Sequence, residues 1–170
     1  RNETGGNTFV TAEALVLPSG GSIVPVAGWV GSDDLVDYYS FVAPTGGAAV
    51  NVRISGLVSD ADLYIWDGSQ SYVASSAYGG STPDEANFAV TAGNTYYIEV
   101  RRYSGDTSYV LEASHLAAEA LYAITPANAV RAENAGGTTT DFTFTVSRTE
   151  ASRAGSIGWY VNGPTAFYGE

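Results

Sequence analysis

Apolar and polar residues alternate in short segments along most of this chain, and turn-forming residues separate the segments. In residues 50–54 and again in residues 96–100, aliphatic or aromatic side chains occupy every second position. A period of two is typical of a strand with one buried face, because successive side chains of a strand point to opposite sides. Short strands with glycine, proline and serine between them predict an all-β chain that begins with an antiparallel, jelly-roll-like β-sandwich.

Residues 31–41 join a loop to one of these strands. The segment begins with a glycine, which permits a tight bend, and its second half alternates, with Tyr39 and Phe41 expected on the buried face. A loop of this kind can aim two carboxylates at one Ca²⁺ ion; a solvated turn in which Asp side chains accept from backbone amides is the alternative. The carboxylates in question are Asp33, Asp34 and Asp37.

The alternating pattern breaks at residues 115–120, where we expect a domain boundary and one helical turn. Residues 1–115 form the predicted sandwich. Residues 116–170 form a predicted partial β unit of immunoglobulin-like type, with about three strands.

Composition agrees with a folded β protein that has an acidic surface. Hydrophobic residues make up 45% of the 170 residues, and the net charge is −11, with seven arginines and no lysine. Such a surface repels nucleic acid and anionic membranes but attracts divalent cations. Cysteine is absent, which excludes disulfides, zinc–thiolate sites and a cysteine nucleophile. No segment has the ~20 apolar residues of a membrane span.

The beginning of the chain lacks the pattern of a signal peptide, and Arg1 stands where a methionine would start a full-length protein. We therefore expect a mature or excised fragment. The absence of cysteine is compatible with secretion, because calcium can stabilise a secreted domain in place of disulfides.

A set of motifs occurs in order over residues 1–113. The motifs are Asn7-Thr8, Gly28, and residues 34–41, 60–65, 93–100 and 109–111. Together they resemble the bacterial pre-peptidase C-terminal domain, a small β-sandwich appended to secreted proteases and collagenases. The resemblance implies a secreted or cell-surface bacterial protein.

The resemblance also implies a Ca²⁺ site. In collagen-binding members of the family, an Asp-x-x-Asp pair meets glutamate and asparagine from the N-terminal segment around calcium. Carried over by position, the pair is Asp34 and Asp37, and the N-terminal ligands are Asn7 and Glu3. Asp33 lies beside the pair and is included among the expected ligands.

A second group of motifs occupies residues 122–134, 142–148 and 158–161. They look like the first half of a Calx-β domain, which implies a calcium-binding position at Glu133 with partner loops beyond Glu170. Half a sandwich leaves apolar strand edges, and such edges invite strand addition from another chain. This unit therefore either self-associates by strand addition or is sealed against residues 1–113.

Four aromatic residues are expected to face outward from the first sandwich, on the side of their strands opposite the core. They are Tyr38, Tyr64, Trp66 and Tyr97. An aromatic sheet face can grip an extended extracellular protein or a polysaccharide, such as collagen or a glycan. Ordinary packing between neighbouring strands is the alternative.

Two further sets of polar residues are candidate sites. Asp60 and Asp62 precede a core strand, where capping of a turn is favoured over a second bound ion. His115 is the only histidine, and no Ser-His-Asp set or nucleophile-elbow motif accompanies it, which favours a structural role.

These patterns predict a non-catalytic, calcium-binding accessory or adhesion module of a secreted bacterial protein. The alternative is a fragment of a secreted hydrolase, a protease or glycosidase, whose catalytic part is elsewhere or unrecognised.

Overall fold

The computed structural model describes residues 4–117, 122–126 and 144–148. The chain divides into two compact units, residues 1–119 and residues 120–170. All regular structure in the described residues is strand, which confirms the predicted all-β class. These residues also contain no helix that could cross a membrane.

Two sheets form the first unit. In chain order, its strands are β1 (Glu13–Ala14), β2 (Val26–Val30), β3 (Val36–Val42), β4 (Gly47–Ser55), β5 (Asp60–Asp67), β6 (Tyr72–Ser76), β7 (Asp84–Ala89), β8 (Thr95–Ser104) and β9 (Thr107–Ala117). The first sheet has the order β1-β3-β8-β5-β6, and the second has the order β2-β9-β4-β7. Every pairing is antiparallel except that of β1 with β3.

The inward faces of the two sheets share one hydrophobic core, as the alternation predicts. The ring of Phe41 on the first sheet lies 6.4 Å from that of Phe88 on the second, so the sheets pack face to face. The aliphatic residues that are fully buried between the sheets include Val50, Val52, Ile54, Leu63, Ile65, Ile98, Val100 and Leu111. This core holds both the acidic turn before β3 and the aromatic outer face of the first sheet in place.

The structure differs from the sequence-based expectation at the end of the first unit. The expected helical turn does not form at residues 115–117, which continue β9 as a strand that pairs with β4; residues 118–120 lie outside the described residues. The predicted boundary between residues 115 and 116 therefore falls inside β9. This stretch of alanine and leucine shows neither the alternation of a strand nor the period of a helix. Its conformation at residues 115–117 is therefore decided by pairing with β4.

In the second unit, β10 (Tyr122–Pro126) pairs antiparallel with β11 (Phe144–Arg148). Ile124 lies opposite Val146, and Val146 is half exposed. The predicted strand at residues 156–161 and the predicted calcium position Glu133 lie outside the described residues.

Candidate functional site

The acidic loop before β3 is a tight turn. The Gly31 amide donates to the Asp34 carbonyl at 2.7 Å, and the Asp34 amide donates back at 3.2 Å. A Cβ atom on Gly31 would lie 2.1 Å from the Trp29 ring and 2.9 Å from the Asp106 carboxyl carbon. Because that space is filled, only glycine fits at the head of the turn.

The N-terminal segment lies against this turn and against β3. Gly6 and Tyr38 exchange two backbone hydrogen bonds, of 3.0 and 2.6 Å, and these place Asn7 beside the turn. The Asn7 amide group lies 3.0 Å from an Asp34 carboxylate oxygen and 3.0 Å from the Val36 carbonyl oxygen. With its nitrogen turned towards them, the amide donates to both. With its oxygen turned towards them, three oxygens converge, which is the donor type that Ca²⁺ takes.

Asp37 occupies the core, contrary to the expectation that it belongs to the acidic loop with Asp34. It lies on β3 two residues before Tyr39, so it shares the inward face, and it is only 1% exposed. The Tyr109 hydroxyl donates to the Asp37 carboxylate, and the Tyr39 and Tyr109 hydroxyls lie 2.7 Å apart. The three side chains form a buried hydrogen-bonded network that bridges the two sheets.

Burial raises the pKa values of the two tyrosines in this network. It raises the pKa of Tyr39 to about 12, and the neighbouring Asp37 charge acts in the same direction. Burial, with the adjacent Tyr39 and Asp37, also raises the pKa of Tyr109. Both phenols therefore keep their protons at neutral pH and remain hydrogen-bond donors.

Two glycines allow the backbone to approach this network. Gly28 on β2 pairs with Tyr109, whose ring covers it; a Cβ atom there would lie 2.2 Å from the ring carbon Cζ. Gly5 has φ +87° and a Cβ atom on it would lie 2.8 Å from the Asp37 side chain. The N-terminal segment thus contacts Asp37 through Gly5 and Asp34 through Asn7.

The remaining predicted ligands are placed as follows. Asp33 is exposed, and its carboxylate lies 3.4 Å from the Ser32 hydroxyl. Glu3 lies outside the described residues. Among residues 4–117, 122–126 and 144–148, no three His, Cys, Asp or Glu side chains form a group that could hold a metal ion. A cation beside Asp34 would therefore depend on amide and carbonyl oxygens as well as carboxylates.

The predicted aromatic face exists, and the chain itself occupies part of it. Tyr38, Trp66 and Tyr97 are half-buried on the outer side of the first sheet. Phe9 packs onto all three, with ring centroids 4.6, 5.9 and 5.1 Å away, respectively. The sequence indicates which side of a strand these rings take, but not that a residue from the N-terminal segment covers them.

Glu99 lies beneath this aromatic cover. Alternation places it on the outer face of the first sheet, yet it is fully buried. Its carboxylate accepts from the Trp66 indole at 2.8 Å and from the Arg101 side chain at 2.6 Å. Arg101 also lies over the Tyr64 ring, 4.7 Å from the centroid, so this half-exposed guanidinium compensates the buried charge.

Replacing Phe9 with alanine is expected to loosen this cover. We expect the free energy of unfolding to fall by about 1–2 kcal/mol, because a half-buried ring loses three aromatic contacts. The Trp66 indole N–H resonance should shift in the NMR spectrum, since the ring next to it is gone. Val10→Ala is the matched control: Val10 is 93% exposed and should change neither quantity. An unshifted Trp66 resonance in the Phe9→Ala variant would contradict this packing.

His115 is built into the sandwich. It is 3% exposed on β9, and its Nδ1 accepts from the Gly20 backbone amide at 2.9 Å. A catalytic histidine needs that nitrogen for an orienting carboxylate and the other for the reacting group. With Nδ1 used by the backbone and Nε2 buried, the structural role expected from the sequence agrees with the geometry.

Comparison with known proteins relates this sandwich to domains of proteases. Residues 35–102 match the family model of the bacterial pre-peptidase C-terminal domain. A zinc metalloprotease of Helicobacter pylori is 32% identical over 90 residues, which cover 51% of this chain and 35% of the relative. The hemagglutinin/proteinase of Vibrio cholerae is also 32% identical over 90 residues, which cover 51% of this chain and 15% of the relative. The chain thus spans about a third or less of the length of these curated relatives.

A similar solved structure is the pre-peptidase C-terminal domain of a collagenase from Bacillus anthracis. It has 23% sequence identity and a TM-score of 0.49, and the alignment covers 67% of this chain and 98% of that chain. The family match begins directly after Asp34 and ends within β8, so it includes the Asp37 position and the strands that carry the aromatic face. Residues 35–102 are therefore similar to the bacterial pre-peptidase C-terminal domain.

Proposed function

We propose that this chain is a non-catalytic, Ca²⁺-stabilised accessory module of a secreted bacterial protease. The observation that carries the proposal is the match of residues 35–102 to a domain family whose name places it in peptidases. The protease names of both curated relatives support it. Those names describe proteins much longer than the aligned segment, so we assign catalysis to another part of the parent protein.

The buried setting of His115 supports a non-catalytic role. Its Nδ1 is taken by a backbone amide, and its Nε2 is shielded from solvent. The alternative derived from the sequence, a fragment of a secreted hydrolase with its catalytic part elsewhere, is compatible with this proposal. Assay of the purified chain against casein and gelatin would test it, since any turnover that depends on His115 contradicts a non-catalytic role.

The proposed Ca²⁺ site is the junction of the N-terminal segment with the turn before β3. Its ligands would be Asp34, the Val36 carbonyl and, with the amide turned to present its oxygen, Asn7. The Asp34 and Val36 oxygens each lie 3.0 Å from the Asn7 amide group. Asp37 is assigned to the core network instead. Bound Ca²⁺ would tie the segment to β3 in addition to the two Gly6–Tyr38 hydrogen bonds.

Ca²⁺ is expected to stabilise the folded chain by linkage. An ion that binds only the folded state adds about 2.7 kcal/mol at a hundredfold excess over its Kd. The melting temperature should therefore rise with Ca²⁺, and hydrogen exchange at the Gly6 and Tyr38 amides should slow. Asp34→Asn should reduce the rise and abolish the slowing at these two amides, as measured by calorimetry and NMR.

Asp33→Asn is the matched control, because it removes the neighbouring charge from an exposed side chain. It should retain the slower exchange at Gly6 and Tyr38. If Ca²⁺ slows exchange equally in the wild type and in Asp34→Asn, the ion does not bind at this junction.

Ligand binding by the aromatic face stays a proposal. An extended protein or polysaccharide could contact Trp66 and Tyr97 only beside Phe9, or after Phe9 moves away. Retention of the wild-type chain on collagen or polysaccharide resin, with loss in a Trp66→Ala variant, would support it. Self-association through the second unit and its Calx-β likeness are likewise proposals, and light scattering tests the first of them.

A further inference from the structure

A second group of carboxylates lies near the connection between β6 and β7, two strands across the first sheet from the residues that follow the turn before β3. Asp84 begins β7 and is fully buried. Its Oδ1 accepts from the Ser76 hydroxyl at 2.5 Å and from the Tyr78 amide at 2.8 Å. Its Oδ2 is buried without a hydrogen-bond partner among the described residues. Half of a buried carboxylate is thus left unsatisfied, which is costly.

Asp60, at the start of β5, also has an unsatisfied carboxylate oxygen. Its Oδ1 is also buried without a partner in the described part of the chain. The connection between β6 and β7 lies beside both residues: the Tyr78 amide bonds to Asp84, and a Cβ atom on the next residue, Gly79, would lie 3.9 Å from Asp60 Oδ2. Two unsatisfied carboxylate oxygens therefore lie near the same short stretch of chain.

Asp62 adds a third negative charge close by. It is 7% exposed and accepts from the Tyr64 hydroxyl at 3.2 Å. Arg101 is a described cation near Asp62, but its side chain already pairs with Glu99 at 2.5 Å. The group therefore carries more negative charge than the described positive charges around it offset.

We propose that a divalent cation, of the hard type represented by Ca²⁺, binds between Asp60 and Asp84 beneath the connection of residues 77–83. The two unpartnered oxygens supply the carboxylate ligands, and Asp62 supplies a further charge nearby. No three acidic side chains of the described residues form a ready metal-binding group, so carbonyl and hydroxyl oxygens of the connection complete the coordination. Gly79 and Gly80 let that stretch adjust, and Gly80 has φ +76°.

This site is independent of the one proposed at Asn7 and Asp34, and the two can be tested separately. Tb³⁺ is a probe for Ca²⁺ sites that tyrosine sensitises at short range, and Tyr64 and Tyr78 flank the carboxylates. Tb³⁺ is titrated into the full 170-residue chain carrying Asp34→Asn, which disables the first site. We expect saturable luminescence, with excitation through tyrosine, that Ca²⁺ displaces.

Adding Asp84→Asn to that chain is expected to weaken Tb³⁺ binding about tenfold or more, because a carboxylate ligand is lost. The folded state should survive, since asparagine keeps an oxygen for Ser76 and Tyr78. Should Asp84→Asn fail to fold, Asp60→Asn provides the same test. The matched control is Asp67→Asn, because Asp67 Oδ1 already accepts three hydrogen bonds from Ser69 and Ser71 and should not affect binding.

The proposal is overturned if the Asp34→Asn chain shows no saturable luminescence, or if the luminescence survives both Asp84→Asn and Asp60→Asn. In those cases a proton or a buried water satisfies the two oxygens. If instead Asp34→Asn leaves the number of bound ions unchanged, the site at Asn7 and Asp34 fails while the site at Asp84 stands.

Discussion

Replacing Gly28 with alanine is expected to lower the free energy of unfolding by about 3–5 kcal/mol. The added Cβ atom would lie 2.2 Å from Cζ and 2.3 Å from the hydroxyl of Tyr109, a residue that is 1% exposed and has little room to move. Displacing this ring breaks the hydrogen bonds that join Tyr109 to Tyr39 and to Asp37. The substitution therefore combines overpacking with loss of a donor to a buried carboxylate.

Chemical denaturation measures this effect, and two variants serve as controls. Gly79→Ala makes the same change where the nearest atom is 3.9 Å away, so it should change the free energy of unfolding by less than about 1 kcal/mol. Tyr109→Phe removes the hydroxyl alone and should cost about 2–3 kcal/mol. A Gly28→Ala variant as stable as Gly79→Ala would show that Tyr109 does not pack over Gly28.

Replacing Arg101 with methionine is expected to cost about 2–3 kcal/mol. Glu99 is fully buried, and the Arg101 guanidinium compensates its negative charge at a distance of 2.5 Å from the carboxylate oxygen. Removing one partner of a fully buried ion pair costs about 3–5 kcal/mol. The expected cost is lower here because the Arg101 side chain is half exposed and its charge is partly screened by solvent. Methionine keeps most of the apolar stem, so the loss reports mainly the missing charge.

Arg53→Met is the matched control for this substitution. Arg53 pairs with Glu112 at 3.0 Å, but both side chains are more than a third exposed. An exposed pair contributes about 0–1 kcal/mol, so this variant should be nearly as stable as the wild type. Equal losses for the two arginine variants, measured by urea denaturation, would mean that Glu99 is not a buried carboxylate that depends on Arg101.

The alternating pattern was sufficient to predict the sandwich and its core. Every second residue of β4 and β8 that the pattern assigned to the interior is buried. The same rule could have placed Asp37 correctly, because it stands at the same parity as Tyr39 and Phe41. We grouped it with the loop as the partner of Asp34 in an Asp-x-x-Asp pair, but it is buried with a tyrosine donor from the opposite sheet.

The covered outer face could not be predicted in this way. Alternation indicates the side of the sheet on which Glu99 and Trp66 lie, but it carries no information on which other segment packs there. Phe9 reaches this face through backbone pairing of Gly6 with Tyr38, a contact between residues far apart in the chain. The segment around Phe9 has no clear period, so neither its conformation nor its contacts follow from the sequence.

The N-terminal segment makes two contacts that matter for this account. Phe9 covers aromatic residues on the outer face, and the Asn7 amide lies beside Asp34. The proposal that Ca²⁺ joins Asn7 to Asp34 therefore connects ion binding with the cover on the outer face. In a calcium-rich medium the segment would be fixed on the sheet, and in a calcium-poor one it would be held by hydrogen bonds and Phe9 alone.

The most direct test is a crystal of the chain grown with Ca²⁺, with anomalous diffraction data recorded to locate the ion. We predict an anomalous peak within coordination distance of an Asp34 carboxylate oxygen, the Asn7 side-chain oxygen and the Val36 carbonyl. An ordered Asn7 whose amide nitrogen donates to Asp34 and Val36, with no anomalous signal beside it, would contradict a calcium-stabilised module.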